Sequence, residues 1–483
     1  MKPRRSSFRT IHCAAVDLGA TSGRVIVGTW ADEKLTLTEV HRFPNAFQSL
    51  GAHDYWNVPG LWQEIQTGLR KAAAPFAPIA SVGVDTWGVD YVLLDAAGRL
   101  VFPAHAYRDA RTQAGLKRLA KSKADLAKIY AATGIPNVFY NSSLQLAETV
   151  ASFPEVQKLA ARCLFLPDYF NYLLSGRMEN EFTIASTTQL LDVNSTGWSL
   201  PALRHFGIPE KWFTPPVLAG TRLGKVTALP ELVDTQVIVV PGHDTAAAYD
   251  AMPAAPDGND LFLSSGTWSL VGFESDTPVL GPAALKARVA NERIGDGRYR
   301  PLTNVIGFWL LEGVMKEFPD RPQAEEERAA LNAAAAALPA PKLLLDTTDP
   351  AFANPPSMRA AINDHLRARG ATPPKDLAGY LRLICDSLGQ GHANAKANFE
   401  QMTGRKFNRI LVVGGGSRNR LMCQATADAA GIPVVSFSLE GTAVGNIASQ
   451  LIALGAVKDK AAFRAALARN LESTTYTPCR PGR

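Results

Sequence analysis

Two rhythms of apolar residues alternate along the chain. The unbroken runs Cys13-Ala-Ala-Val-Asp17 and Arg24-Val-Ile-Val-Gly28 flank a small-residue turn from Leu18 to Gly23, which predicts a tight strand pair. Leu35 to Val40 alternates apolar with polar and predicts a third strand. From Val58 to Ala73 the period changes: Leu61, Ile65 and Leu69 recur at four-residue steps, the stripe of an amphipathic helix. Strands are predicted again at Ile79–Val84 and Tyr91–Asp95, and residues 112–212 read mostly as helix and loop.

The opening order then recurs. Val237–Val240 reads as a strand that runs into Gly242-His243-Asp244. Leu261–Leu263, the turn Ser264-Ser-Gly-Thr267 and Trp268–Gly272 repeat strand, small-residue turn and strand. A long helix is predicted from Asp376 to Met402, with Leu377, Leu381, Ile384 and Leu388 on one stripe, and Ile410–Val413 is a strand leading into Gly414-Gly-Gly416. The proline-rich stretch 339–356 reads as a loop. The pattern predicts two α/β domains, residues 1–250 and 251–483, each opening on a hairpin.

Composition narrows the function classes. A chain of 483 residues with 46% hydrophobic and 19% charged residues has enough material for two to three domains with ordinary cores. The net charge of +6 is mild for this length and makes no case for a nucleic-acid partner. Part of it sits in Lys2, Arg4, Arg5 and Arg9 of a short polar N-terminus, where no apolar stretch follows to make a signal peptide. No apolar run approaches the length of a membrane span. The five cysteines are scattered, odd in number and never spaced C-x-x-C, which fits a reducing cytoplasm and excludes a cysteine zinc site. H-E-x-x-H, G-x-S-x-G, the P-loop and G-x-G-x-x-G are all absent, so a nucleotide would need another device.

Five segments carry candidate chemistry. In Asp17-Leu-Gly-Ala-Thr-Ser-Gly-Arg24 a carboxylate ends a strand and a small-residue turn follows. Backbone N–H groups of such a turn can cradle phosphate, and the acid can hold Mg²⁺ through water; an ordinary hairpin would look the same. The second hairpin, Ser264–Thr267, favours the phosphate reading, since two such turns can serve one polyphosphate. Asp244 follows a buried-type strand and opens an apolar helix, so it is either a helix cap or an active-site base. Val84-Asp-Thr-Trp-Gly-Val-Asp90 sets Trp87 beside two acids and glycine on a strand-to-strand turn, which suits a sugar or a buried structural tryptophan. Gly414–Gly416 suits close backbone approach to a ligand.

Taken together these segments resemble the FGGY family of carbohydrate kinases, within the actin-like ATPase superfamily, along nearly the whole chain. The resemblance also rests on Ala106-Tyr-Arg-Asp109 with Arg111-Thr112, Pro167–Phe170, Thr187–Leu190, Asn291-Glu292, Gly297–Arg300 and Val413–Gly416, with Asp85–Asp90 the most specific. It implies two RNase H-like domains with ATP in an interdomain cleft, and a small-molecule ketose as the other partner. The N-terminal domain would carry the sugar and the first phosphate loop, the C-terminal domain the second phosphate loop and the adenosine site. The members most alike phosphorylate L-rhamnulose at its 1-hydroxyl in L-rhamnose breakdown; kinases for L-fuculose or L-xylulose are the near alternative, and a non-catalytic nucleotide or sugar switch the distant one. By the same resemblance Ala20, Thr21, Ser22, Gly23 and Arg24 form the first phosphate loop, Thr267 belongs to the second, and Gly415 lies on the adenosine side. Gly88, His243, Asp244, Thr245 and Asn304 meet the sugar, Trp87 is a candidate wall for it, Asp244 is the proton acceptor, and Asp17 is the Mg²⁺ candidate. One position departs: where relatives have a Gln on ATP, this chain has Glu312, which lacks the amide donor and repels phosphate.

Overall fold

The computed structural model describes residues 10–113, 116 and 123–479; Lys2, Arg4, Arg5 and Arg9 lie outside them. The chain divides into two units. The first takes in residues up to Pro253 together with 275–301 and 441–470, and the second takes in 254–274, 302–440 and the chain from Leu471.

In the first unit, β1 (Ile11–Leu18) and β2 (Ser22–Ala31) form the predicted hairpin, in register from Ile11 opposite Trp30 to Leu18 opposite Gly23. Strand β3 (Lys34–Pro44) extends beyond the predicted strand and pairs antiparallel with β2. Strand β4 (Ile79–Thr86) lies parallel to β1 and sets Asp17 opposite Asp85. Strands β5 (Arg222–Lys225) and β6 (Gln236–Ile238) complete the sheet, in the order β3-β2-β1-β4-β6-β5. The predicted strand at 91–95 is Tyr91–Leu94, which pairs instead with Arg162–Phe165 in a separate two-stranded ladder. Helix Val58–Ala73 buries Leu61, Ile65, Gly68 and Leu69. A β-carbon on Gly68 would stand 2.3 Å from Val25, so the small residue lets the helix approach β2.

The second unit repeats that plan. Strands β7 (Asp260–Ser265) and β8 (Trp268–Gly272) form its hairpin, and β9 (Tyr299–Ile306), which begins in the first unit, pairs antiparallel with β8 through Leu302–Ile306. Strands β10 (Arg409–Val413) and β11 (Val434–Phe437) follow in parallel beside β7, and β12 (Ser473–Tyr476) closes antiparallel. Read from β3 or from β9, the pairings run antiparallel, antiparallel, parallel, parallel, antiparallel in both sheets. The duplication visible as a repeated hydrophobic pattern is thus a repeated strand topology. The long helix is Leu377–Thr403: Asp376 caps it through Gly379 N at 2.8 Å, and Gly404 ends it at φ +71°, a conformation glycine adopts without strain.

Candidate active site

Strand ends position the first unit's site. The turn after β1 is tied by Gly19 N to Ser22 O at 2.9 Å, and Asn45 holds its outer side through Gly19 O and Thr21 O. Thr21 is exposed at the tip, whereas Gly23 is buried: a β-carbon there would overlap the Phe43 ring at 2.3 Å. Asp17, at the end of β1, is ion-paired with Arg24 of the same hairpin at 2.5 Å.

The strand end at β4 lies alongside. Trp87 N donates to Leu18 O at 3.1 Å and Thr86 N to Gly242 O at 2.9 Å, so residues 17–24, 85–90 and 242–245 converge on one edge of the sheet. A β-carbon on Gly88 would come within 3.4 Å of His243 Nε2. The sequence candidates Asp17, Ala20 to Arg24, Trp87, Gly88, His243, Asp244 and Thr245 therefore belong to one locality. Asp85 is fully buried there; burial foremost, then the negative charges of Asp17 and Asp244, pushes its carboxyl well above the usual range. Its Oδ1 is buried without a hydrogen-bond partner.

Asp244 opens helix Asp244–Ala251, but the capping position is His243, and no side chain caps there. Its Oδ1 instead accepts from Thr245 N and Thr245 Oγ1, at 2.5 and 2.9 Å. The carboxylate is part-exposed and held in orientation by its neighbour. The segment before it is fixed by groups the sequence reading missed: Glu181 accepts from Gly242 N at 2.9 Å, and Thr183 Oγ1 receives His243 N at 3.3 Å. These partners lie 61 and 60 positions away, and no local pattern announces them. Glu292 and Arg300 entered the sequence reading only as motif residues; both stand against His243.

Of the acids around Trp87, Asp90 is not free for a sugar. Asp90 is buried and accepts from Trp56 Nε1 at 2.6 Å, Trp87 Nε1 at 2.8 Å, Tyr107 N at 3.2 Å and Gln145 Nε2 at 3.2 Å. Burial outweighs those donors and pushes its carboxyl up to about 6. Trp87 is itself buried, its ring 4.3 Å from that of Trp56, so what it can offer is apolar surface.

In the second unit, Thr267 sits at the tip of the β7–β8 hairpin. Phe308 N and Trp309 N bind the carbonyls of Gly266 and Thr267, which docks the start of helix Trp309–Met315 on that tip. This brings Glu312 to Thr267: the hydroxyl donates to Glu312 Oε1 at 3.4 Å. The glycine turn packs on the same hairpin, since β-carbons on Gly414 and Gly416 would overlap Ser265, whereas one on Gly415 would meet nothing within 4 Å. Asn304 is exposed on β9, opposite Leu270.

A divalent cation fits the donor chemistry of the first unit. A hard carboxylate stands at the sheet edge at Asp17, and Mg²⁺ needs only one or two such groups beside water and phosphate. Among the described residues no cluster of three or more His, Cys, Asp or Glu is arranged to hold a metal unaided, and no helix is long and apolar enough to cross a membrane.

Comparison with known proteins agrees with this geometry. Residues 12–249 match the N-terminal domain, and residues 261–454 the C-terminal domain, of the FGGY family of carbohydrate kinases. The chain is 42% identical over 469 residues to a rhamnulokinase of Klebsiella pneumoniae subsp. pneumoniae, covering 97% of this chain and 94% of that protein. A rhamnulokinase of Enterobacter sp. (strain 638) is 40% identical over the same shares. Among solved structures, a gluconate kinase from Lactobacillus acidophilus superposes with a TM-score of 0.78 at 15% identity, covering 98% of this chain and 94% of its own. Plasmodium falciparum glycerol kinase with ADP gives 0.78 at 13% identity, over 97% and 94%. At such identities these two structures speak for the fold.

Proposed function

The chain belongs to the FGGY family of carbohydrate kinases, and from that premise we propose that it transfers the γ-phosphoryl group of ATP to the 1-hydroxyl of L-rhamnulose. The substrate assignment rests on near full-length similarity to rhamnulokinases at 40–42% identity. The product is L-rhamnulose 1-phosphate, an intermediate of L-rhamnose breakdown. Five unpaired cysteines, four of them buried, accord with a cytoplasmic setting.

The observation that carries the chemistry is Asp244: a part-exposed carboxylate beside His243, oriented by Thr245 and not used as a helix cap. In this reading Asp244 takes the proton of the 1-hydroxyl as that oxygen bonds to the γ-phosphorus, while the bond to the β-phosphate oxygen breaks and ADP leaves. Phosphoryl transfer asks the protein chiefly for alignment and charge neutralisation. Arg24 and the N–H groups of the turn at Ala20 to Gly23 supply donors for phosphate in the first unit, and Thr267 in the second. Asn304 is a further ligand contact, and Gly415, where a β-carbon would meet nothing within 4 Å, leaves room for the adenosine. Mg²⁺, which Asp17 would hold through water, neutralises charge on the phosphate oxygens when bound. The test is coupled ADP release across a ketose panel: kcat/KM should be highest for L-rhamnulose, lower for L-fuculose and lower again for D-fructose. A faster rate with L-fuculose or L-xylulose would displace the named sugar; no sugar-dependent ADP with any of them would remove the kinase reading.

A further inference from the structure

A buried ionic cluster stands behind the candidate base. The Arg300 guanidinium is fully enclosed, its Nη2 lies 2.5 Å from His243 Nδ1, and the same nitrogen is bonded to Glu292 Oε2. Glu292 Oε2 is also 3.2 Å from His243 Nδ1. Burial opposes the charge on Glu292, but the Arg300 guanidinium beside it holds the carboxyl down at about 2. The guanidinium also lies 5.3 Å from the centre of the Tyr249 ring.

The closest of these contacts favours one arrangement. A guanidinium has five N–H donors, no acceptor, and keeps its charge at any working pH. A hydrogen bond between Arg300 Nη2 and His243 Nδ1 therefore needs the lone pair on Nδ1. A hydrogen on Nδ1 would point at the Arg300 N–H 2.5 Å away, the nearer of its two neighbours, since Glu292 Oε2 lies at 3.2 Å. We infer that Arg300, anchored by Glu292, is a positioning residue that fixes His243 as the neutral tautomer with its hydrogen on Nε2. That nitrogen is 3.4 Å from Asp244 Oδ1 and faces Gly88. His243 is thus a donor on the sugar side, and Asp244 is left as the acceptor of the hydroxyl proton. The value of this device to catalysis rests on the kinase reading above; the tautomer itself does not.

The experiment uses the full chain with ¹⁵N-labelled histidine, in the absence of sugar. Long-range proton–nitrogen correlation separates the two tautomers, and the His243 signals are those missing from His243→Gln or His243→Asn. The expected result is an unprotonated Nδ1 and a protonated Nε2 in the native chain, and a mixture of tautomers in Arg300→Met. A second arm is kinetic. Gln places an amide nitrogen near the Nε2 position, Asn near Nδ1. Both variants should lose activity, and His243→Asn should fall roughly 10- to 100-fold below His243→Gln in kcat/KM, the cost of one hydrogen bond to a charged group. A native Nδ1–H tautomer, or Asn outperforming Gln, overturns the inference even if the chain is a kinase. If no ketose is phosphorylated but Nε2–H is found, the tautomer stands and the functional reading falls.

Discussion

Asn446 donates from Nδ2 to Oδ2 of Asp85 at 2.6 Å, joining positions 361 residues apart within the first unit. The bond is one rung of a buried polar ladder. Asn446 also reaches Gly83 O at 3.2 Å and accepts from Gln450 Nε2 at 2.6 Å; Gln450 in turn binds Ala14 O at 3.0 Å and receives Ser81 Oγ at 2.7 Å. Helix Gly441–Ala453 is thereby pegged to β1 and β4 beside the candidate site. Asn446→Ala leaves Asp85 buried with neither oxygen matched, which should cost about 2–3 kcal/mol of stability. Chemical denaturation measures it, and a loss under about 0.5 kcal/mol, within the range of a neutral surface change, would show that the ladder contributes little.

Asp244→Asn separates the two roles open to this residue in the sequence. Since His243 occupies the capping position, the variant should keep its melting temperature. Turnover should fall by about 10²- to 10⁴-fold, the usual range for loss of a general base. A folded variant that retains a near-native rate would rule out Asp244 as proton acceptor.

Trp87→Ala should cost about 3–5 kcal/mol, the range for emptying a core aromatic site, because the ring is buried against Trp56. It should also flatten the preference for a C6 methyl over a C6 hydroxymethyl in the sugar panel. Trp87→Phe keeps an apolar wall while removing the N–H to Asp90, so it should keep the preference and lose only stability. Equal preference in native, Phe and Ala chains would take Trp87 out of the sugar site.

The residues that the sequence made legible share one property: their signal is local. The β1–β2 hairpin and the helix at 58–73 appear where period and turn residues place them, and Gly88, His243 and Asp244 do fall in one locality. What stayed hidden depends on distant partners. Asp90 looks in sequence like a carboxylate offered to a ligand, yet the indole of Trp56, 34 positions earlier, already claims it. Asn446 and Gln450 are polar residues four apart on a helix, a spacing that suggests a solvent face, and only the strands beneath make them interior. Helical periodicity reports which residues share a face, and not which face is covered.

Glu312→Gln tests the departure from the family at the second hairpin. An amide in place of the carboxylate removes a repulsion toward phosphate and restores a donor beside Thr267. The KM for ATP should drop by roughly 2- to 10-fold, the worth of one hydrogen bond, with kcat little changed. An unchanged or higher KM would show that Glu312 does not face the nucleotide.

Glu181 supplies a pH signature. Burial foremost pushes its carboxyl from 4.5 up to about 7, despite donors from Thr183, Ile184 and Gly242. The folded chain therefore holds a proton there that the unfolded chain has lost, and this contribution falls as pH rises from about 4.5 to about 7. The total change is about 3 kcal/mol. Glu181→Gln should remove that part of the slope in a series of denaturation curves; a variant whose stability tracks the native chain through the window would place the ionisation elsewhere.

The return of residues 441–470 to the first unit also governs how the chain must be made. Helix Gly441–Ala453 covers β2 so closely that a β-carbon on Gly28 would overlap Ile447, and Gly445 lies against the Ala247 carbonyl. A ribosome that has finished residue 301 must still add 302–440 before that helix exists, roughly 10–30 s at ordinary elongation rates. Through that interval the nascent sheet carries an apolar face with nothing on it and Asp85 without Asn446, so newly begun chains should engage chaperones until the last helices emerge.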